Sequence, residues 1–346
     1  MIISASSRTD IPAFYGEWFH NRLDAGYCLS VNAFNGHPYR IGLRREDVDG
    51  FVFWTKDLGP FLPKLAILRE RGFPFVIHYT INGYPRSLEP SIPPAETAVA
   101  HMRFVTKTYG PKVGLWRYDP ILITDKTDFV FHRRNFARLA RALAGAINEV
   151  TVAWVSLVYR KTTRNLARAA SRAGFRWEDP GTERKREFLR ELSAIAAEQG
   201  MTLRLCGQPE YLSPGIPEAV CIDAQRLSEV AGRPILARTP GHRGEQCACH
   251  YSRDIGAYDT CLHGCAYCYA VTDLRVSREF YEQHDPSAEW LCAPRRMLRR
   301  KRQEDLPLFC WDGIDHDQNT VVSDAKPPSQ PEAARFGTAV ERGGIR

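Results

Sequence analysis

Short runs of β-branched and aromatic residues alternate along the chain with longer stretches whose apolar positions recur at helical spacing. The runs predict strands over residues 1–7, 27–32, 50–55, 73–80, 112–118, 149–158 and 201–206. The longer stretches predict helices over 11–26, 60–71, 95–109, 128–146 and 184–199, the first with Asp10 as its N-cap. Several strand segments are apolar on both faces, as in Phe51-Val52-Phe53-Trp54 and Val150-Thr151-Val152-Ala153-Trp154-Val155. Strands covered on both sides belong to parallel sheets flanked by helices.

Seven or eight such units over about 230 residues suit an α/β fold of the TIM-like (β/α) barrel type. A doubly wound open sheet is the other arrangement, but no glycine-rich dinucleotide fingerprint or Walker loop follows any strand. In a parallel barrel the C-terminal strand ends converge on one rim, where substrates bind. Polar residues crowd those ends: Ser6-Ser7-Arg8-Thr9-Asp10, Trp54-Thr55-Lys56-Asp57, His78-Tyr79-Thr80 and Trp116-Arg117-Tyr118-Asp119-Pro120. Arg8, Asp10, Lys56, Arg117 and Asp119 are therefore the candidate catalytic residues, with Arg8 and Arg117 suited to clamp an anion. The structural alternative is that Asp10 and Asp119 cap helices or loops and the arginines pair with them.

Composition narrows the setting. With 44% hydrophobic and 25% charged residues, the chain reads as an ordinary globular protein. No apolar run approaches the roughly 18 residues of a membrane span. The opening lacks the basic-then-apolar layout of a signal peptide, so a cytoplasmic location is expected. The formal charge of +7 permits an anionic partner without demanding one.

In a reducing compartment, clustered cysteines point to metal or catalysis rather than to disulfides. Six of the ten cysteines lie between Cys206 and Cys265, and Cys268 follows at once. In Cys261-Leu262-His263-Gly264-Cys265-Ala266-Tyr267-Cys268, the spacing lets three thiolates wrap one face of a cubane cluster and leave the fourth iron open. Cys206, Cys221, Cys247 and Cys249 precede this motif, and four thiolates suffice for a second cluster or a closed zinc site. The other reading of Cys206 and Cys221 is that of small buried apolar residues. His250 and His263 fit outer hydrogen-bonding partners of a metal site better than ligands.

The run Asp254-Ile255-Gly256-Ala257-Tyr258-Asp259-Thr260 followed by that cysteine motif resembles a bacterial family of unknown function, DUF1848. The opening Ile3-Ser4-Ala5-Ser6-Ser7-Arg8-Thr9-Asp10-Ile11-Pro12-Ala13 and the segment Trp116-Arg117-Tyr118-Asp119-Pro120 resemble it too. The family is noted for a C-terminal cysteine cluster similar to the N-terminal one of radical S-adenosylmethionine enzymes. The resemblance implies a [4Fe–4S] cluster on Cys261, Cys265 and Cys268, with S-adenosylmethionine on the open iron. Reduction would then release a 5′-deoxyadenosyl radical that abstracts hydrogen from a substrate, with an electron donor as partner. It also implies that Tyr267 packs near the adenine of the cofactor. In radical enzymes the motif follows the first barrel strand, whereas here it follows nearly all of the strands. A closed barrel tolerates that permutation, because its last elements sit beside its first. The glycine-rich motif that usually holds the cofactor's amino group is not recognisable.

From about Asp312 the chain is rich in Pro, Gly, Ala and charge, and a disordered tail is expected. The expected organisation is a barrel over 1–240, a cysteine-rich region over 241–295 packed on it, and a basic segment with the tail over 296–346. Residues 295–302 form the densest charge run, suited to a phosphate backbone or to a solvated helix face. Residues 303–309 resemble the peptide by which bacterial replication and repair proteins dock on the DNA sliding clamp, which would favour a nucleic-acid substrate. Three functions stay open at this point. They are a radical enzyme, a zinc-stabilised barrel that binds an anion, and a hydrolytic barrel that uses Asp10, Asp119 and the arginines.

Overall fold

The computed structural model describes residues 1–31, 37–239 and 247–292. The basic run 295–302, the clamp-like peptide 303–309, the expected tail and Cys310 lie outside the described residues. The strands are β1 (Ile2–Ala5), β2 (Tyr27–Val31), β3 (Pro38–Gly42), β4 (Gly50–Thr55), β5 (Phe75–Thr80), β6 (Gly114–Ile121), β7 (Ile123–Thr124), β8 (Glu149–Trp154), β9 (Trp177–Glu178), β10 (Thr202–Leu205) and β11 (Arg253–Asp254). The α-helices are α1 (Ile11–Phe14), α2 (Gly16–Ala25), α3 (Leu62–Glu70), α4 (Ala95–Tyr109), α5 (Phe129–Leu143), α6 (Arg160–Ala173), α7 (Thr182–Glu198), α8 (Ala224–Ala231) and α9 (Leu274–Glu282).

Seven strands form one parallel sheet in the order β10-β8-β6-β5-β4-β1-β11. From β1 to β10 the order along the sheet is the order along the chain, with no switch point where the winding reverses. One-way winding puts the right-handed crossover helices on the same face. The row nevertheless has two ends, β10 and β11, and no ladder joins them among the described residues. The hydrogen bonds thus establish an α/β fold around a parallel sheet, not the closed barrel expected from the sequence.

Alternation divides the strand residues between two faces. Ile3, Phe51, Phe53, Ile77, Trp116, Val150 and Leu203 join the main core with Phe19, Leu65, Val105, Phe136 and Leu192 of the crossover helices. Ile2, Val52, Val76 and Leu115 face the other way, into a second core with Ala219, Cys221, Ile222, Leu227, Cys247 and Cys249. The second cover is α8, started by Asp223 accepting from the Gln225 and Arg226 amides and stopped by Gly232 at φ 63°. Apolar residues on both faces of the strands follow from these two covers.

Several segments differ from the sequence expectation, α6 and β3 among them as elements not expected at all. The strand expected over 27–32 pairs antiparallel with β3 as a separate hairpin. The seventh sheet strand is instead the short β11, beside β1, with Ile3 opposite Arg253 and Ser4 opposite Asp254. Neither Arg253 nor Asp254 carries strand propensity, so tertiary pairing decides the outcome. The helix of 11–26 is split in two at Tyr15. No described helix is long and apolar enough to cross a membrane.

Buried polar pairs fasten the outer layer. His132 on α5 accepts from the Tyr118 hydroxyl at Nδ1 (2.8 Å) and donates from Nε2 to the Leu122 carbonyl (3.0 Å), which fixes a neutral ring. Burial lowers its pKa from the ordinary 6.5 to about 4. The unfolded chain therefore binds the proton first as pH falls, so the stability held by neutral His132 is complete above pH 6.5 and drains toward pH 4. We expect the stability gap between the wild type and His132→Gln to narrow by about 2–3 kcal/mol between pH 7 and pH 4.5. Urea unfolding at the two pH values measures it; a gap independent of pH would contradict the assignment.

Candidate functional site

The loops that leave β1 and β11 share one carboxylate. Asp254 accepts from Ser4 Oγ (2.9 Å), Ser6 Oγ (2.6 Å), Ser7 Oγ (3.1 Å) and the amides of Ser7 and Gly256 (both 2.9 Å). A Cβ on Gly256 would stand 2.0 Å from Ser6 Oγ, so only glycine lets the two loops approach this closely. Arg8 lies at the margin, with Nε 4.0 Å from Asp254 and its guanidinium 5.5 Å from the Tyr258 ring centre.

This seam carries the cysteine motif to the C-terminal edge of the sheet beside β1. Asp259, in the left-handed region at φ 60°, closes the loop by accepting from the Thr272 amide while its own amide donates to the Ala270 carbonyl (3.0 Å). The surroundings brace it: Tyr15 donates to the Thr260 carbonyl (2.6 Å), and Asn165 of α6 donates to those of Cys268 (2.8 Å) and Val271 (2.7 Å). Within the loop, Cys261, Cys265 and Cys268 are close enough for each thiol to feel the charge of another. Burial pushes all three thiols up in pKa. Lys56 opposes that rise at Cys265 and Lys161 at Cys268, and the Ala270 amide donates to Cys268 Sγ at 3.4 Å.

Asp10 does cap α1, accepting from the Ala13 amide (3.0 Å). Its second oxygen accepts from Thr55 Oγ1 (3.1 Å), the Lys56 amide (2.7 Å) and His263 Nε2 (2.8 Å). His263 thereby pins the cysteine loop to the ends of β1 and β4. His263 Nδ1 is buried and has no hydrogen-bond partner among the described residues.

Next to Cys265 sits a buried acid–base network. Lys56 Nζ contacts Glu89 Oε1 (2.9 Å) and the Tyr267 hydroxyl (3.0 Å). Asn82 Nδ2 donates to Glu89 (3.0 Å) and to Tyr267 (3.1 Å), and Tyr267 donates a short bond to Glu89. Burial works against both charges, yet the pair holds Glu89 below and Lys56 above their ordinary pKa. Tyr267 thus points its hydroxyl into this network, and its ring meets Tyr84 edge-on at 6.1 Å. Glu89 and Asn82 also line a cavity of about 270 Å³ with Tyr84, Arg86 and Arg138.

Arg117 and Asp119 turn toward the second core. Arg117 is buried, bonds Asp119 through Nε (3.1 Å) and Nη2, and donates from Nη1 to Cys221 Sγ (3.0 Å). Its guanidinium lies 5.1 Å from the Trp54 ring, on which His78 stacks at 4.4 Å. The Asp119 amide and carbonyl both bond the Asn82 side chain (2.9 and 3.1 Å), which links this group to the Glu89 network. Cys206 Sγ and Cys221 Sγ are 3.4 Å apart, and Cys221, Cys249 and Cys247 are near enough for each thiol to shift the next one's titration. His250 accepts from the Ala224 amide (3.0 Å) at the start of α8 and so serves the fold. Among the described residues, no group of three or more His, Cys, Asp or Glu side chains stands ready around a single metal ion. Cys28 is a core residue whose burial lifts its thiol to about 12.

The catalytic and cofactor candidates therefore fall into two neighbouring groups. Arg8, Asp10, Lys56 and Tyr267 surround the three-cysteine loop; Arg117 and Asp119 adjoin the four other thiols. Sequence reasoning missed Asn82, Glu89, Lys161 and Asp259. Asp259 sits within the cysteine segment and could have been singled out; the other three are isolated in loops or helices, with no local signal.

The Lys56–Glu89 pair is buried, so removing one charge strands the other. Glu89→Gln is expected to cost about 3 kcal/mol, and Lys56→Met in the same chain to restore most of it. Urea unfolding of both single variants and the double variant tests this. Simple additivity would show that the charges do not depend on each other.

A family model described as a domain of unknown function matches residues 2–270. No curated protein is similar enough to the chain to be matched with it. Because the match spans most of the chain, from the first strand through the cysteine loop, the chain belongs to the DUF1848 family.

Proposed function

We propose that Cys261, Cys265 and Cys268 hold a [4Fe–4S] cluster, and that the chain is a reductive enzyme of the radical S-adenosylmethionine type. The observation that carries this reading is the place of the loop. It leaves a parallel strand at the C-terminal edge of the sheet, next to the end of β1, where the sequence order alone would not put it. The one-way strand order agrees with a partly closed barrel around that edge.

The donor set fits the group. Three thiols on one short loop are partly shielded from water, and their charge would be offset by Lys56 at Cys265 and Lys161 at Cys268. An amide on Cys268 Sγ supplies the N–H···S contact that tunes such clusters. When bound, the cluster supplies one electron to a ligand at its open iron, and S-adenosylmethionine is the ligand that the family resemblance implies. The chain's own residues then do three things. Asp10 and His263 hold the loop against β1 and β4. Lys56, held by Glu89 and Tyr267, keeps a cation beside Cys265. The cavity beside Glu89, with Arg86 and Arg138 in its wall, offers room for a small polar substrate.

Protein reconstituted without oxygen should be brown, absorb broadly near roughly 400 nm and carry about four iron and four sulfide per chain. Reduction with added S-adenosylmethionine should release 5′-deoxyadenosine. Cys265→Ala is expected to lose the iron, while Arg117→Ala keeps it. Full iron content in Cys265→Ala would refute the ligand assignment.

A further inference from the structure

We propose that Cys206, Cys221, Cys247 and Cys249 form a second, separate metal site that takes a single tetrahedral zinc ion. The four thiols come from three separate segments between residues 206 and 249, and the fold brings them together in the second core, on the sheet face opposite the crossover helices. Cys206 follows β10, Cys221 precedes α8, and Cys247 and Cys249 precede β11.

Size selects the occupant. Cys206 and Cys221 sulfurs are 3.4 Å apart, and Cys249 lies near enough to Cys221 and Cys247 for their thiols to shift one another's titration. Zinc–sulfur bonds of about 2.3 Å put the corners of a tetrahedron about 3.8 Å apart. An iron–sulfur cube holds its thiolates further apart than one ion does, so contact between sulfurs favours one ion. The sulfurs meet in a row and do not yet surround one point, in keeping with the absence of a ready cage among the described residues. The ion is the element that closes the row.

The surroundings suit anionic sulfur. The Arg117 guanidinium donates to Cys221 Sγ at 3.0 Å, and the Ile222 amide donates to Cys249 Sγ at 3.4 Å. Both are the donors that a metal-bound thiolate accepts from its outer shell. A buried guanidinium aimed at a neutral thiol would gain little, whereas a zinc–thiolate group makes it a charge-assisted bond. Four thiolates saturate the ion, so the site is structural. It ties the second core to Arg117, and through Asp119 to Asn82 in the Glu89 network.

The site is independent of the three-cysteine loop, and the test separates them. In the full chain carrying Cys261→Ala, Cys265→Ala and Cys268→Ala, we expect about one zinc per chain after purification, with no acid-labile sulfide. Adding Cys221→Ser or Cys249→Ser to that chain should reduce zinc to below a tenth. Should those variants fold poorly, the folded triple variant supplies a second reading. Treatment with a strong zinc chelator should then lower its melting temperature by several degrees, and added zinc should restore it. A metal-free triple variant whose melting temperature ignores both chelator and zinc would overturn the proposal. Iron with sulfide in that variant would overturn it as well, in favour of a second cluster.

Discussion

The carboxylate of Asp254 holds together two parts of the chain that lie some 250 residues apart in sequence. Five donors converge on it, from β1 and from the loops after β1 and β11, and they fix the short seventh strand to the sheet. A strand of two residues cannot hold its place by its own ladder, so the side-chain bonds carry the register. Without this seam the cysteine loop would have no reason to sit at the C-terminal edge of β1. With it, Asp10, His263 and Lys56 become neighbours of Cys261 and Cys265.

Charge is the second constraint. Taking thiols and carboxylates out of water is costly unless a partner meets each charge. The fold meets that requirement locally: Lys56 serves Glu89 and Cys265, Lys161 serves Asp259 and Cys268, and Arg117 serves Asp119 and Cys221. Three cations, Arg117 buried and Lys56 and Lys161 partly so, thus stand at the two thiol groups. Asn82 and Asp119 join the surroundings of the two groups through paired hydrogen bonds.

Much of this was legible in the sequence, for identifiable reasons. Strands such as Phe51-Val52-Phe53-Trp54 are apolar on both faces because helices cover one face and α8 with the thiol-bearing segments covers the other. The helix over 95–109 falls where its periodicity puts it. The 27–32 strand was recognised as a strand but placed in the wrong sheet, because propensity does not encode a partner. Arg253 and Asp254 carry no strand signal, so the pairing that positions the motif was hidden. The rim residues Asp10 and Lys56 were found from their place after strands. Glu89 and Lys161 were not, since only the tertiary fold brings them to the thiols.

The central claim is that three thiols of one loop leave a metal corner open to a small ligand. Electron paramagnetic resonance of the anaerobically reconstituted, reduced protein examines that corner directly. The account predicts a cluster signal whose shape changes when S-adenosylmethionine is added and stays unchanged with an analogue lacking the amino and carboxylate groups. A signal indifferent to the cofactor, or no cluster signal at all, would contradict it.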